Sequence, residues 1–193
     1  SHRMQFNALY GDSGYPRRIR RDFVEFRGAD TEAGAEEESI DNDHFNWEVG
    51  GDYEYTFAND HRLQLLFIAN DQTRDNVRER FDVAPGNDSG TTRAQRDKTL
   101  FIESNQRTRE RIVQGNYSFP ITLSQDLRIG LERANTQLDS SLFIGSSAGT
   151  EPASARYGGL SPLPDISNPG TEVQEIRYEG FVFHNWTLND RIS

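Results

Sequence analysis

The sequence has no cysteine and few apolar residues. Cysteine is absent and hydrophobic residues make up 34% of 193 positions. No disulfide framework and no thiolate metal site can therefore form. An apolar content this low is unusual for a globular core, yet aromatic residues reach 11%, which is too many for a simply disordered chain. A transmembrane β-barrel fits both values, because its strands need only one apolar face.

Acidic residues outnumber basic ones. The chain carries 31 acidic and 21 basic residues, for a net charge of −10. This balance argues against a sequence-independent nucleic-acid binder, which needs a basic surface. It argues equally against docking of the whole chain on an anionic leaflet. No run of about 18 apolar residues occurs, so no transmembrane helix is expected.

An internal repeat has a period of about 60 residues. Residues 2–6 resemble residues 61–65, and weaker copies begin near 127 and 190. Similar polar turns precede three of these points, at 56–60, 122–126 and 187–190. Asn and Asp favour turns because their side chains bond nearby backbone. Each repeat is therefore predicted to begin after a short turn.

Within each repeat, apolar and polar residues alternate with the period of a β-strand. The pattern predicts antiparallel strands near 2–12, 45–56, 61–71, 109–119, 126–137 and 174–187, with consecutive strands paired. Their 9–12 residues suffice to cross a bilayer at a tilt. One face is predicted to carry Trp47, Val49, Tyr53, Leu63, Leu65, Phe67, Val113, Tyr117, Ile129 and Leu131. The other is predicted to carry Glu48, Asp52, Arg62, Gln64, Gln114, Arg128 and Glu132. If the first face meets lipid, Leu65→Arg should cost about 2–4 kcal/mol.

The two ends of the predicted hairpins differ. Aromatic residues collect near the short turns, as interfacial rings do in membrane proteins: Tyr53, Tyr55, Phe57, Tyr117, Phe119 and Trp186. Long polar segments at 27–44, 72–107 and 138–173 join the opposite ends. Short periplasmic turns and long extracellular loops are typical of outer-membrane barrels. We expect these loops to carry selectivity, and shortening 138–173 to leave folding nearly intact.

These strands resemble the barrel of TonB-dependent receptors. The likeness rests on three segments, 45–55 with the following 62–66, 111–119, and 135–142. It implies that the whole of 1–193 is part of one all-β, antiparallel outer-membrane β-barrel domain in the bacterial outer membrane. It also implies ligand uptake, for example of a metal–siderophore complex, cobalamin or a glycan, without chemistry on the ligand.

The family's remaining parts are expected outside this chain. We find no plug domain and no box for the TonB-type energy-transducing protein, and six strands are too few to close a barrel. The expected partners are lipid, the rest of the barrel and plug, that energy-transducing protein, and an unidentified small ligand, with no nucleic acid. Two alternatives stay open: a passive porin or adhesin-like barrel, and a soluble carbohydrate-binding all-β module.

No catalytic, cofactor or metal site is predicted, and the chain is not expected to be an enzyme. Asp41-Asn42-Asp43-His44 offers clustered oxygens for Ca²⁺, but it lacks the glycine and terminal glutamate of a calcium loop, and a solvated acidic loop is the better interpretation. The four histidines have no metal-ligand spacing: His2, His44, His61 and His184. The two at repeat starts, His2 and His61, are expected at interfacial turns. Charged residues that could line a solute path are expected to bond one another instead: Glu48, Asp52, Glu54, Arg62, Arg128, Glu132, Arg177 and Glu179.

Overall fold

The chain folds as one antiparallel β-sheet. A computed structural model describes residues 1–28, 30–83 and 97–187. The sheet contains seven strands: β1 (His2–Arg27), β2 (Asp30–Thr56), β3 (Arg62–Val83), β4 (Asp97–Thr122), β5 (Gln125–Ser146), β6 (Ser161–Pro162) and β7 (Asn168–Trp186). Each long strand pairs with the next, except that β7 pairs with β5 because β6 is only two residues long. The all-β class and the pairing of consecutive long strands are thus confirmed.

The strands are far longer than the sequence pattern indicates. β1 and β2 stay paired from His2–Tyr55 to Arg27–Asp30, and β3 pairs with β2 as far as Val83. The prediction of long loops at 27–44 and 72–107 is therefore wrong for the described residues, although 84–96 lies outside them. Both faces are mostly polar here, so the regular alternation that signals a strand is missing. Cross-strand hydrogen bonds and charge pairs hold these parts together.

The hairpin turns are tight. Between β2 and β3, the Phe57 amide donates to the His61 carbonyl at 2.9 Å, and Asp60 has a φ of 64°. β4 and β5 are joined by two residues between strands, next to an irregularity in the register at Pro120–Thr122. The short turns predicted at 56–60 and 122–126 are therefore confirmed, and most of the third, 187–190, lies outside the described residues.

The segment 147–167 folds back on the sheet. Arg156 stacks 3.5 Å from the centroid of the Phe143 ring and bonds Glu103 at 2.8 Å. Lys98 donates to the Gly158 carbonyl at 3.0 Å, and Gly158, with a φ of 64°, lies against the Phe101 ring. The prediction that 138–173 is one long loop is wrong, because residues 138–146 and 168–173 are paired strand.

The sheet has a single layer. Only four apolar residues are buried among those described, Ala35, Val83, Phe101 and Ala134. The sheet is not closed into a barrel. Within the described part, β1 pairs only with β2 at one edge, and β7 pairs only with β5 at the other.

Candidate membrane-facing and solute-facing surfaces

Strand register divides the side chains into two faces. In antiparallel pairing, directly opposed residues lie on the same face. Phe67 lies opposite both Gly51 and Val113, and Leu131 lies opposite both Gly115 and Gly180. All ten residues assigned to the apolar face share that face, and all seven assigned to the polar face share the other. The predicted division is confirmed; contact of the apolar face with lipid stays a prediction.

One row of aromatic rings borders the apolar face beside the short turns. His2 Nδ1 lies 2.8 Å from the Tyr53 hydroxyl, and His61 Nδ1 lies 2.5 Å from the Tyr117 hydroxyl. The internal repeat is thus reproduced as a repeated histidine–tyrosine contact. The rings of Tyr55 and Phe57 meet edge to face at 4.6 Å. We call this group the inner aromatic row: His2, Tyr53, Tyr55, Phe57, His61, Tyr117, Phe119 and Trp186.

A second aromatic row lies at the other border of the apolar face, and the sequence analysis missed it. We call it the outer aromatic row: Tyr10, Phe45, Trp47 and Tyr178. Tyr10 and Phe45 meet edge to face at 5.6 Å. Arg111 lies 5.3 Å from the Trp47 ring centroid, and Arg133 lies 5.8 Å from that of Tyr178. The sequence did contain a signal for this row, because aromatic residues recur on the same face of a strand eight to ten positions from a member of the inner aromatic row.

The polar face carries a sparse network of hydrogen bonds. Asn116 donates to Gln64 at 3.4 Å, and Arg128 donates to Ser118 at 3.2 Å. Arg177 bonds both Glu132 and Glu179, at 3.1 and 3.0 Å. Mutual bonding is therefore confirmed for that trio. The expectation that the charged residues bond one another is wrong for four of them, which bond no side chain among the described residues: Glu48, Asp52, Glu54 and Arg62.

An apolar row interrupts the polar face. Gly50, Ile68, Ile112 and Ala134 lie opposite one another across four strands. Gly50 and Ala134 are buried. The alternation pattern hid this row because Leu66, Phe67 and Ile68 form a continuous apolar run in β3. The polar face is consequently not polar along its whole length.

Beyond the outer aromatic row, both faces of the sheet are mostly polar; we call this part the polar extension. Glu38 is only 2% exposed, and it binds Arg21 at 3.1 Å on one neighbouring strand and Arg78 on the other. Asp71 receives two hydrogen bonds from Arg107, at 3.0 and 2.6 Å. The same contact raises the pKa of Arg107.

Asp75 has the opposite environment. Burial, followed by the nearby charges of Asp43 and Glu103, raises the pKa of its carboxyl. Asp43 lies directly opposite Asp75 in the sheet, and Asn105 donates a hydrogen bond to Asp75 from the other side. Because the pKa is raised in the folded state, stability falls as the pH rises through the ordinary aspartate pKa, and the loss is complete above the raised value.

Replacing Asp75 with asparagine should therefore stabilise the sheet at pH 7 by about 0.2–1 kcal/mol, the range for removing like charges across a strand pair. The gain should vanish as the pH falls through the carboxyl pKa, because the carboxyl is then neutral in both proteins. Urea titrations between pH 3 and 8 measure this difference. Asp12→Asn, an exposed carboxyl opposite Phe45, is the control. A constant gain at all pH values would contradict the charge explanation.

The proposed calcium ligands do not converge. Asp41-Asn42-Asp43-His44 lies within β2, so successive side chains point to opposite faces. Asn42 bonds Asn76, and His44 Nε2 lies 2.7 Å from Gln72 Nε2. The interpretation as a solvated loop is wrong, because these residues are paired strand. No cluster of three or more metal-binding side chains occurs in the part of the chain that the structure describes.

Comparison with known proteins identifies no family. No family model matches the sequence, and no curated protein is significantly similar to it. Across residues 1–28, 30–83 and 97–187, no helix is both long and apolar enough to cross a membrane. The candidate surfaces are therefore defined by their geometry: an apolar face between two aromatic rows, a polar face behind it, and the polar extension.

Proposed function

We propose that this chain is a segment of an outer-membrane β-barrel that takes part in ligand uptake. The observation that carries the proposal is the coincidence of three patterns on one face: strand register, apolar side chains, and aromatic rows at both borders. Between the rows, β3 runs from Leu63 to Asp71, which is about the 9–11 residues that a tilted strand needs to cross a bilayer. An apolar band bounded by aromatic rings at about this spacing is the signature of a lipid-facing barrel surface.

The polar face supports the uptake role. Its charged and amide side chains would line a water-filled lumen, where a solute can exchange hydrogen bonds during passage. The polar extension would stand outside the membrane as paired strands, which hold potential ligand contacts more rigidly than loops do. The resemblance to TonB-dependent receptors favours ligand-dependent uptake over passive diffusion.

Depth-dependent quenching of tryptophan fluorescence tests the membrane assignment. The chain has two tryptophans, Trp47 and Trp186, so Trp47→Phe/Trp186→Phe provides a tryptophan-free background. In phosphatidylcholine vesicles, Phe67→Trp in that background should be quenched most strongly by lipids brominated deep in the acyl chain. Trp47 and Trp186, each present alone, should respond more strongly to quenchers near the headgroup.

The matched control is Leu66→Trp in the same background. Leu66 neighbours Phe67 but lies on the polar face, opposite Asp52 and Gln114. Its substituted ring should be quenched weakly by lipid and strongly by aqueous iodide. Equal lipid quenching at positions 66 and 67 would contradict the assignment of faces, and a chain that stays soluble without lipid would contradict the membrane proposal.

Ligand uptake needs a separate measurement. In planar bilayers, a passive porin conducts without any added ligand, whereas a receptor segment should show no such steady conductance. Steady ligand-independent conductance would replace the uptake proposal with the porin alternative while leaving the membrane assignment in place.

A further inference from the structure

A cavity on the polar face lies beside the short turns. Its volume is about 230 Å³, and strands β3, β4, β5 and β7 contribute to its wall. Two arginines and two aspartates line it, together with a hydroxyl group and an aromatic ring: Asp60, Arg62, Ser118, Asp126, Arg128 and Phe183. We call Arg62 and Arg128 the arginine pair, and Asp60 and Asp126 the aspartate pair. Opposite charges therefore share one small space.

Ser118 lies between the members of the arginine pair. It is directly opposite Arg62 on β3 and directly opposite Arg128 on β5. The Arg128 Nε donates to the Ser118 hydroxyl at 3.2 Å, so this guanidinium group leans over β4, towards Arg62. Arg62 bonds no side chain among the described residues and lines the same cavity. One anionic group above Ser118 can therefore reach both arginines.

The aspartate pair lies next to the arginine pair. Each aspartate precedes one of the arginines by two positions, because the internal repeat places an Asp–X–Arg sequence at the start of both β3 and β5. Residues two apart in a strand point to the same face, roughly 6–7 Å from each other. Neither aspartate forms an ion pair or a side-chain hydrogen bond in the part of the chain that the structure describes. Both carboxylates can therefore accept hydrogen bonds from a ligand.

This arrangement favours a ligand that carries both charges. A simple anion between the arginines would be repelled by the aspartate pair, and a simple cation would be repelled by the arginine pair. Such like-charge repulsion discriminates between ligands as effectively as attraction does. An α-amino acid carries its carboxylate and its ammonium group on one carbon atom, so it can place opposite charges on the two neighbouring pairs at once.

We propose that this cavity binds an α-amino acid, with its carboxylate on the arginine pair and its ammonium group on the aspartate pair. Guanidinium groups donate paired hydrogen bonds to carboxylate oxygens, and bonds between charged groups are stronger than neutral ones. Phe183, which is 59% exposed, offers its ring to an apolar side chain of the ligand. The inference names a chemical class for the solute, and it rests on the proposed uptake function for the role of the site.

Titration calorimetry of the full chain in detergent micelles tests the site with three matched probes. L-leucine carries both charged groups, 4-methylpentanoate lacks the ammonium group, and 3-methylbutylamine lacks the carboxylate. The natural chain should bind leucine at least about tenfold more tightly than either fragment, because a lost hydrogen bond between charged groups costs about that factor. Inorganic phosphate should bind no more tightly than 4-methylpentanoate.

Charge variants should shift the three probes in different directions. Arg62→Gln/Arg128→Gln should weaken binding of both leucine and 4-methylpentanoate. Asp60→Asn/Asp126→Asn should weaken leucine but strengthen 4-methylpentanoate, because the aspartate pair no longer repels a lone carboxylate. Asparagine tolerates the φ of 64° at position 60. A role of these residues in folding alone would not reverse the order of two ligands.

Arg3→Gln is the matched control. Arg3 holds the position of Arg62 in the first repeat, but it lies opposite Glu54, away from the cavity. This change should leave the binding of all three probes unaltered. If either double variant does not fold, Arg62→Gln and Asp126→Asn replace them, and they should shift the probes in the same directions.

Several outcomes would overturn the site. Absence of leucine binding, or equal binding of leucine and its two fragments, would contradict a zwitterion site. Tighter binding of inorganic phosphate than of leucine would make the cavity a simple anion site. Weaker binding of 4-methylpentanoate in the aspartate variant would show that the aspartate pair does not repel anions there.

The tryptophan quenching profile separates this inference from the proposed function. A chain with the expected depth profile but no preference for leucine over its fragments would contradict only the amino-acid site. A chain that binds leucine as expected but lacks the depth profile would contradict only the membrane proposal.

Discussion

Placing an arginine at Phe67 should lower the free energy of unfolding in a phosphatidylcholine bilayer by about 2–4 kcal/mol, the cost of a cationic side chain at the midplane of a barrel's lipid face. Phe67 is the right position because it lies midway along β3 between the two aromatic rows. Leu65 lies opposite Tyr53 of the inner aromatic row. The expected cost of Leu65→Arg therefore falls below the full midplane value, to about 1–2 kcal/mol, since the penalty decreases towards the interface.

Two further substitutions separate lipid exposure from lost packing. Val113 lies directly opposite Phe67 and is 60% exposed, so Val113→Arg should be nearly as costly while removing fewer contacts. It is made in an Arg133→Gln background, because Arg133 lies opposite Val113 on its other side and would repel the new cation. Gln64→Arg places the same charge on the polar face and should change stability by less than about 1 kcal/mol. Denaturant titrations of the chain folded into vesicles measure all four. Equal costs at Gln64 and Val113 would show that the two faces do not differ in environment.

Removing the Glu38 carboxylate should destabilise the polar extension by about 1–3 kcal/mol. Glu38 is nearly fully buried and receives hydrogen bonds from arginines on both neighbouring strands. Breaking a buried ion pair costs about 3–5 kcal/mol when the remaining charge stays buried. The cost should be smaller here, because Arg21 and Arg78 are 49% and 38% exposed and can regain water.

The matched variant is Glu48→Ala, which removes a carboxylate from the same strand and the same face. Glu48 bonds no side chain among the described residues, so this change should be nearly neutral. Hydrogen exchange adds a local measurement: Glu38→Ala should increase exchange in β2 and β3 of the polar extension while leaving the apolar band protected. Uniformly increased exchange would indicate that the extension does not unfold independently.

The sequence predicted the part of the sheet where the two faces differ in polarity. Between the aromatic rows, every second residue, such as Leu63, Leu65 and Phe67, is apolar and lies on one face. A register shift of one residue would move these side chains to the other face. The pattern therefore fixed both the strands and their faces. In the polar extension, Glu36, Glu37 and Glu38 lie on alternating faces. Because the two faces have similar polarity there, the sequence shows no apolar–polar alternation that would reveal a strand.

What stabilises the extension also lies outside local sequence patterns. The partners of Glu38 are 17 and 40 positions away, at Arg21 and Arg78. Such pairs become visible only once the register is known. The same holds for the outer aromatic row, whose members come from three strands.

The folded segment 147–167 changes which loop deletion is informative. Shortening the whole of 138–173 would remove paired residues of β5 and β7, so the expectation of nearly intact folding no longer holds. A deletion confined to 148–166 spares those strands but exposes Phe101 and Phe143. Retained strand pairing in that shorter deletion would identify the segment as a cover for these rings.

The length of the polar extension has an electrostatic consequence. From Phe45 to Asp30, β2 runs about 16 residues beyond the outer aromatic row, or roughly 50 Å along the strand. The Debye length at physiological ionic strength is about 8 Å. In the proposed orientation, the acidic residues near the tip, such as Glu32 and Glu36, are therefore several Debye lengths from the lipid headgroups. A charged solute approaching from outside meets the field of the tip before that of the membrane, so the two fields can be altered independently.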